Sequence, residues 1–253
     1  MAATNGEGPI LVFLGPTLLL GAAEKMLDAI FLQPASQGDI LLAAHAFHPR
    51  AMVLIDGQFE DRPAVRHKEI LWAMSQGILM IGAASMGALR AAELCEFGMI
   101  GLGLIYRWYR RWPLAPDDAV AVQSGPAELG FLPLTDSMID LQRTFSALMR
   151  RKIITPAERS LLTSVARAMN FRDRSLGAVL RAVGWPDHRI SELGKDMVTR
   201  QKKVDALLAL RMASRLSAQH GTRPAVAHPW IVTNTFIRDL EAAHIDISLL
   251  STY

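Results

Sequence analysis

The sequence has only one cysteine, Cys95, among its 253 residues. A single thiol excludes an internal disulfide and a thiol-rich metal site, and the seven histidines are too scattered for a structural zinc. The run of about 20 apolar residues that a membrane-spanning helix needs is also missing, since Arg90 and Glu93 interrupt the longest apolar stretch. The first residues have no basic stretch followed by an apolar run, so they do not resemble a secretory signal. We expect a soluble, cytoplasmic protein that uses no metal or other cofactor.

Positive charge is concentrated in one part of the chain. The formal net charge is +3, but residues 141–217 contain 16 Lys or Arg against 6 Asp or Glu, and the rest contains 11 against 18. Arg150, Arg151 and Lys152 belong to this basic part. No aromatic platform is interleaved with these charges, so we do not expect a nucleic-acid partner. Two interpretations stay open, a solvated face or a surface that meets an acidic patch on a protein partner.

The distribution of apolar residues predicts an α/β protein. Short apolar runs alternate with helical patterns in the first half, which is typical of a parallel sheet with crossover helices. The predicted strands are 10–15, 51–56, 78–83 and 119–124. After Asp136 the apolar residues recur every three or four positions, and the predicted helices are 136–151, 155–170 and 189–217. We therefore predict a parallel-sheet α/β core over residues 8–135 that carries the site, followed by a mostly helical region over residues 136–253.

Polar side chains follow two of the predicted strands. Asp56 ends the apolar run over 51–56, and Ser85 follows the run over 78–83. In a parallel α/β sheet, ligands bind beyond the carboxyl ends of the strands, so both side chains are expected at that edge. Lys68 lies near the start of the helix that connects these two strands, from where its side chain can reach back to the same edge.

Ser85 lies in the segment "GAASMGALRAAE" (82–93), at the turn from a predicted strand to an alanine-rich helix. A serine in this position faces the first free N–H groups of the helix, which can stabilise an oxyanion. The segment resembles the G-x-S-x-G turn of a nucleophilic serine, with Ala83 in place of the first glycine. Two other interpretations stay open: Ser85 caps the helix, as serine commonly does, or it belongs to a passive anion site. The capping-box partner is missing, because the residue three positions on is Ala88.

A serine hydroxyl needs a base to become a nucleophile, and the sequence offers a lysine or a histidine. Lys68 lies near a helix N-terminus beside Arg66 and His67, which disfavours its charged form. The neighbouring Glu69 opposes this effect, and a solvated surface lysine is the simpler interpretation. The rival base is His67 or His228, in a serine-histidine-acid arrangement.

Seven segments of the first half follow one another in a distinctive order. They are "VFLGPTL" (12–18), Pro34 with "GD" (38–39), "IDGQF" (55–59), "VRHKEIL" (65–71), "GAASMGALRAAEL" (82–94), "FGMIGLG" (97–103) and "DDAVAV" (117–122). Together they resemble the TfuA-like proteins, the companions of YcaO enzymes in making modified peptides and thioamides. The resemblance fades after about residue 125, so the helical half is assigned to the family by continuity.

The resemblance implies a hydrolase-like role in sulfur delivery. Similar proteins are understood to release sulfide from a thiocarboxylated ThiS-like carrier protein with a serine–lysine pair. They also help YcaO to engage its peptide substrate, whose amide YcaO activates with ATP. Motif by motif, the serine is Ser85 and the lysine is Lys68, while the backbone N–H groups of Met86 and Gly87 receive the oxyanion. The supporting candidates are Asp56, Gly57, His67, Gly82, Arg90 and Glu93.

These supporting residues also have simpler interpretations. Asp56 can form a turn with Gly57, and Arg90 can pair with Glu93 three positions further along the helix. The small residues from Gly82 to Gly87 have a functional interpretation, because a carrier tail that ends in glycines would have to lie across the Ser85 hydroxyl.

Two other functions compete with the hydrolase. The first is a non-catalytic adaptor that presents carrier or peptide to a YcaO enzyme. The second is a nucleotide- or phosphate-binding α/β protein that uses the same helix start, but neither a P-loop nor G-x-G-x-x-G is present.

Overall fold

The computed structural model describes residues 8–59, 62–194, 197–221 and 230–253. Within these ranges, the strands are β1 Ile10–Phe13, β2 Ile30–Leu32, β3 Ala51–Leu54, β4 Leu79–Ala83 and β5 Ile100–Leu102. They form one parallel sheet in the order β2-β1-β3-β4-β5. The order reverses between β1 and β3, and such a switch point is where open α/β sheets bind ligands.

Helices connect the strands and make up the second half of the chain. Within the described ranges they are α1 Leu20–Glu24, α2 Asp39–Phe47, α3 His67–Ser75, α4 Met86–Leu94, α5 Gly103–Arg111, α6 Met138–Arg150, α7 Pro156–Ala168, α8 Leu176–Ala182, α9 Asp187–Ser191, α10 Gln201–Gly221 and α11 Asn234–Ala242. Short 3₁₀ helices include Cys95–Phe97, Asp117–Ala119, Ala127–Leu129 and Ile247–Leu250. None of the helices in the described ranges is long and apolar enough to cross a membrane.

The sheet is covered on both faces, because successive side chains of a strand point to opposite sides. Leu11, Met52 and Met80 belong to a buried cluster with residues of α2, α3 and α4. The alternate positions, such as Val12 and Val53, belong to a second cluster with residues of α1 and α10. Strands buried on both faces read as continuous apolar runs, which is why the sequence pattern reveals them.

The α/β fold class is confirmed, and three of the four predicted strands are present as β1, β3 and β4. The predicted strand over 119–124 is wrong. Asp117–Ala119 is a 3₁₀ helix, and the chain that follows makes one isolated bridge, between Ser124 and Pro133. The sequence interpretation missed β2 and β5, which have three residues each and are too short to give a periodic signal.

The helical second half is also confirmed, with α6 and α7 close to their predicted bounds. Ser137 and Thr155 cap these two helices, and Thr155 forms a capping box with Glu158. The single helix predicted over 189–217 is wrong, because α9 ends at Ser191 and α10 begins at Gln201. α10 packs against the sheet through Ala206, Ala209 and Leu210. The division of the chain at residue 135 stays a prediction.

Candidate active site

A cavity of about 500 Å³ opens at the carboxyl edge of the sheet. Its walls come from the segments that follow four strands, from segment 120–128 and from the helical half. Lining residues include Pro16, Pro34, Asp56, Gly57, Ser85, Met86, Phe171 and Lys202. Because the walls follow β1 and β3, the cavity lies at the switch point, where a ligand site is expected in this type of sheet.

The turn before Ser85 has an unusual backbone. Ala84 has φ 68°, a left-handed conformation that is strained for a residue with a side chain. The N–H of Ser85 donates to the carbonyl oxygen of Ala83 at 2.8 Å, which closes a tight turn. α4 begins at the next residue, Met86. The turn therefore presents Ser85 at the edge of the sheet, where it lines the cavity.

The hydroxyl of Ser85 does not cap α4. Its side chain accepts no capping hydrogen bond, and Ser85 Oγ has no hydrogen-bond partner among the described residues. Elsewhere the chain uses hydroxyl caps in the ordinary way, at Ser137, Thr155, Ser175 and Thr233. The capping interpretation lacks the bond on which it depends, so the hydroxyl is available to a ligand in the cavity.

The two expected oxyanion donors have different surroundings. The N–H of Gly87 already donates to the carbonyl oxygen of Ile55 at 3.2 Å, so it is not available to a ligand. The N–H of Met86 has no acceptor among the described residues, and Met86 lines the cavity. Of the two groups, only Met86 N–H is in a position to receive a negative oxygen.

The small residues beside Ser85 are explained by packing inside the protein. A Cβ atom on Gly87 would clash with the carbonyl oxygen of Leu54, and one on Gly82 would clash with the carbonyl oxygen of Gly87. These glycines let α4 lie directly against β3 and β4. Neither Gly82 nor Gly87 lines the cavity, so close helix–sheet contact accounts for them without a ligand.

Asp56 holds the loop after β1 in place. Its Oδ2 accepts hydrogen bonds from the N–H groups of Gly15 (2.9 Å) and Thr17 (3.1 Å), and its Oδ1 accepts from Thr17 Oγ1 at 2.6 Å. The side chain is 2% exposed and lines the cavity. Asp56 thus caps the loop over residues 15–17. The sequence suggested instead that Asp56 forms a local turn with Gly57. Gly57 also lines the cavity and forms a bridge with Ala35.

Lys68 faces another part of the chain. Its Nζ donates to the carbonyl oxygen of Ile231 at 3.0 Å, and its own carbonyl oxygen accepts from Trp230 Nε1 at 3.0 Å. Lys68 is not among the described residues that line the cavity with Ser85. The structure therefore joins Lys68 to the segment around residue 230, near the start of α3.

Three supporting candidates form a cluster of their own. His67 Nε2 and Arg90 Nη1 each contact Glu93 Oε2 at 2.7 Å, and Arg90 Nε donates to the carbonyl oxygen of Val65 at 3.0 Å. This confirms the expected pairing of Arg90 with Glu93 on α4. The three residues bridge α3 and α4 and do not line the cavity. The alternative base His228 lies outside the described residues.

The structure adds one cavity residue that the sequence interpretation missed. Lys202, in the first turn of α10, is 4% exposed and lines the cavity with Ser85 and Asp56. Its Nζ donates to the carbonyl oxygen of Val120 at 2.8 Å, and its backbone N–H donates to Asp140 Oδ1 at 3.1 Å. Among the described residues, no other lysine lines this cavity.

The surroundings of Lys202 make its ammonium group easier to deprotonate than that of an exposed lysine. Burial lowers the pKa of its ammonium group, the negative charges of Asp56 and Asp140 raise it, and the net direction is downward. A weak signal in the sequence points to this residue. Lys202 shares one face of α10 with Ala206, Ala209 and Ala213, so the pattern places a cation at the head of an apolar stripe.

Residues 56–175 match the model of the family described as TfuA-like protein. The match begins at Asp56, later than the resemblance seen from residue 12. It ends at residue 175, beyond the point near residue 125 where that resemblance fades. It includes Lys68 and Ser85 and stops before Lys202. No curated protein matches the chain.

Proposed function

Because residues 56–175 identify this chain as a TfuA-like protein, a family linked to YcaO-associated modification, we propose that it is a hydrolase that delivers sulfur. Its substrate is a ThiS-like carrier protein with a C-terminal thiocarboxylate, and its product is sulfide for YcaO-dependent thioamidation of a peptide. The nucleophile is the hydroxyl of Ser85.

One observation carries the proposal: Ser85 Oγ has no hydrogen-bond partner among the described residues and lines a cavity, next to a strained turn. A hydroxyl whose only task is structural usually has a partner at a helix start. Left-handed backbone at a residue with a side chain costs free energy and is concentrated at active sites. These features support a serine whose hydroxyl is accessible to a ligand in the cavity.

The lining of the cavity suits an extended polypeptide tail. Gln33, Gln58 and Gln123 line it, and their side-chain amides have no hydrogen-bond partners among the described residues. An amide side chain both donates and accepts, as the backbone of an extended chain requires. A flexible carrier tail could therefore enter beyond the carboxyl ends of the strands and bring its last carbonyl carbon to Ser85.

The reaction proceeds in two steps. A neutral lysine amine takes the Ser85 proton while Oγ attacks the thiocarboxylate carbon, and Met86 N–H donates to the oxyanion. The C–S bond breaks, its electron pair leaves with sulfur, and the lysine returns its proton to give hydrosulfide. Water then attacks the Ser85 ester and restores the hydroxyl and the carrier carboxylate. The sequence resemblance gives the role of the amine to Lys68.

A non-catalytic adaptor for carrier or peptide is the second candidate. The observation that favours it is the exposed cationic group at the end of α6, formed by Arg150, Arg151 and Lys152. Such a surface promotes encounter with an acidic partner without chemistry at Ser85.

The test is sulfide release from a thiocarboxylated ThiS-like carrier by the purified protein. We expect Ser85→Ala to reduce turnover to the uncatalysed rate, because the variant lacks the nucleophile and loses only one buried oxygen. Ser124→Ala is the matched control, since Ser124 lines the same cavity, and it should keep turnover. Mass spectrometry should find the carrier esterified to Ser85. If the wild type releases no sulfide, or if Ser85→Ala retains turnover, the hydrolase is wrong and the adaptor is favoured.

A further inference from the structure

We propose that Lys202, and not Lys68, is the general base that activates Ser85. The inference rests on the proposed function only in taking Ser85 as the nucleophile. It starts from the cavity, which Lys202 and Ser85 line together although they lie on different halves of the chain.

The start of α10 is fixed firmly at the sheet edge. Asp205 Oδ2 accepts from the N–H of Ile105 at 2.7 Å, and the N–H of Lys202 donates to Asp140 Oδ1. Ala206 and Ala209 are fully buried in the cluster between α10 and the sheet. Lys202 is therefore held by its own helix, by α6 and by α5, which gives its amine a defined position. Such positioning is what a catalytic base requires.

The amine of Lys202 has few hydrogen-bond partners among the described residues. Val120 O is its hydrogen-bond acceptor at 2.8 Å, and no bond joins Nζ to a carboxylate among the described residues. The charged groups around it are Asp56 after β3 and Asp140 on α6, with Arg62 and Glu128 in the cavity lining. A lysine that is 4% exposed and whose ammonium group has no direct ion pair among the described residues loses its proton more readily than a surface lysine.

Lys68 differs from Lys202 in both its exposure and its position. Its Nζ binds the carbonyl oxygen of Ile231 in a partly exposed contact, and it does not line the cavity. A general base acts at hydrogen-bond distance from the proton it removes, or through one water. Ser85 and Lys202 line one cavity without a direct hydrogen bond between their side chains, so in the proposal the proton passes from Ser85 Oγ to Lys202 Nζ through one bridging water.

The proton balance is simple. The lone pair of neutral Lys202 takes the proton of Ser85 Oγ as the Oγ–carbon bond forms. The resulting ammonium lies close enough to the carboxylates of Asp56 and Asp140 to be stabilised by their charge. It then gives the proton to the leaving sulfur, and the amine is neutral again.

The test uses a probe that is independent of the carrier. A fluorophosphonate reacts with an activated serine, forms an Oγ–P bond and expels fluoride, and the product is read by mass spectrometry at Ser85. We expect Lys202→Met to slow labelling by about 10² to 10⁴, the usual contribution of a positioned base. Lys203→Met is the control and should label at the wild-type rate. Lys68→Met tests the rival base, and the proposal expects it to label much faster than Lys202→Met. Lys203 is the exposed neighbour of Lys202 on α10, and its change to Met removes a lysine charge from the same turn of the helix.

A second variant separates chemistry from structure. Lys202→Arg keeps a donor for Val120 O, but a guanidinium does not deprotonate at neutral pH and cannot act as a base. Its labelling should be as slow as that of Lys202→Met, while its melting temperature stays close to that of the wild type. Wild-type labelling in Lys202→Arg would assign Lys202 a structural role and overturn the proposal.

The remaining outcomes also distinguish the proposal from its alternatives. Slow labelling in Lys68→Met with unchanged labelling in Lys202→Met would restore Lys68 as the base, and a wild type that does not label at Ser85 would overturn the proposal altogether. If the wild type labels in a Lys202-dependent manner but releases no sulfide from the carrier, the carrier assignment fails and the base assignment stands.

Discussion

The ammonium group of Lys202 donates a hydrogen bond to the carbonyl oxygen of Val120 at 2.8 Å. This bond connects the first turn of α10 with the segment that forms one wall of the cavity. A second connection lies nearby, where the buried side chain of Arg174 binds Asp118 through Oδ2 (3.2 Å) and the carbonyl oxygen (2.8 Å). The helical half therefore contributes to a cavity whose other walls come from the segments that follow the strands of the sheet.

We expect Asp56→Asn to shift the pH dependence of Ser85 labelling to lower pH. The negative charge of Asp56 raises the pKa of Lys202, so its removal lowers that pKa further, and a base is active above its pKa. Asparagine keeps an oxygen for the N–H groups of Gly15 and Thr17. The measurement is the rate of fluorophosphonate labelling against pH. Asp39→Asn is the control, because within the described ranges the carboxylate of Asp39 bonds only to Ser36, and Asp39 does not line the cavity. A shift to higher pH would contradict the electrostatic coupling.

We expect Gly87→Ala to destabilise the fold by roughly 1 to 3 kcal/mol or more, the range for added core volume. Its Cβ would clash with the carbonyl oxygen of Leu54, and a backbone oxygen cannot rotate away. The measurement is unfolding in urea. Gly21→Ala is the matched control, since Gly21 lies in α1 with open space around it, and it should be neutral or stabilising by up to about 1 kcal/mol.

The Gly87 result also separates two explanations for the small residues. If Gly87→Ala is as stable as the wild type but inactive, the glycine is there to admit a substrate. If it unfolds more easily, close contact between α4 and β3 is the reason.

We expect Glu69→Gln to flatten the pH dependence of stability. Burial raises the pKa of Glu69 from 4.5 to about 7, although hydrogen bonds from the N–H groups of Arg66, Gly38 and Ile40 lower it. A carboxyl group with a raised folded-state pKa stabilises the fold at low pH and loses this contribution as pH rises from 4.5 to about 7. The unfolding free energy of the wild type minus that of the variant should fall over this interval, by at most about 1.4 kcal/mol per pH unit.

A second glutamate provides the opposite case. Hydrogen bonds from Thr155 lower the pKa of Glu158, so its contribution is present above pH 4.5 and is lost as the solution becomes more acidic. The pH slope of Glu158→Gln relative to the wild type should therefore have the opposite sign, in a more acid range. A difference for Glu69→Gln that rises with pH would mean that its three N–H donors outweigh burial.

We expect the change of Arg150, Arg151 and Lys152 to Ala to slow association with an acidic carrier or YcaO partner at low salt. Steering by exposed charge weakens as the Debye length falls from about 10 Å at 0.1 M to about 3 Å at 1 M salt. The measurement is the association rate against salt concentration. The control changes Arg107, Arg110 and Arg111 of α5 to Ala, which removes the same charge from another exposed site. Equal rates for the wild type and both variants at every salt concentration would leave the cluster as a solvated face.

Much of the fold could be predicted from local patterns. β1, β3 and β4 are buried on both faces, so each reads as an apolar run, and α6 and α7 carry apolar stripes and hydroxyl caps. The missed strands β2 and β5 have three residues each, and their pairing with β1 and β4 defines them more than their composition does. The false strand over 119–124 is apolar where Val120, Ala121 and Val122 line the cavity, and the carbonyl oxygen of Val120 accepts from Lys202 Nζ.

The candidate site, like the fold, could be predicted only in part from the sequence. The sequence alone determined Ser85 and its turn, because a strand, small residues and a helix follow one another within a dozen positions. Only the tertiary structure decided which charged groups share its cavity: it placed Lys68 against Ile231 and brought Lys202 from the helical half to the sheet edge. Periodicity reports on neighbours a few positions apart, whereas Lys202 is positioned by the burial of Ala206 and Ala209 on the sheet and by hydrogen bonds to distant segments.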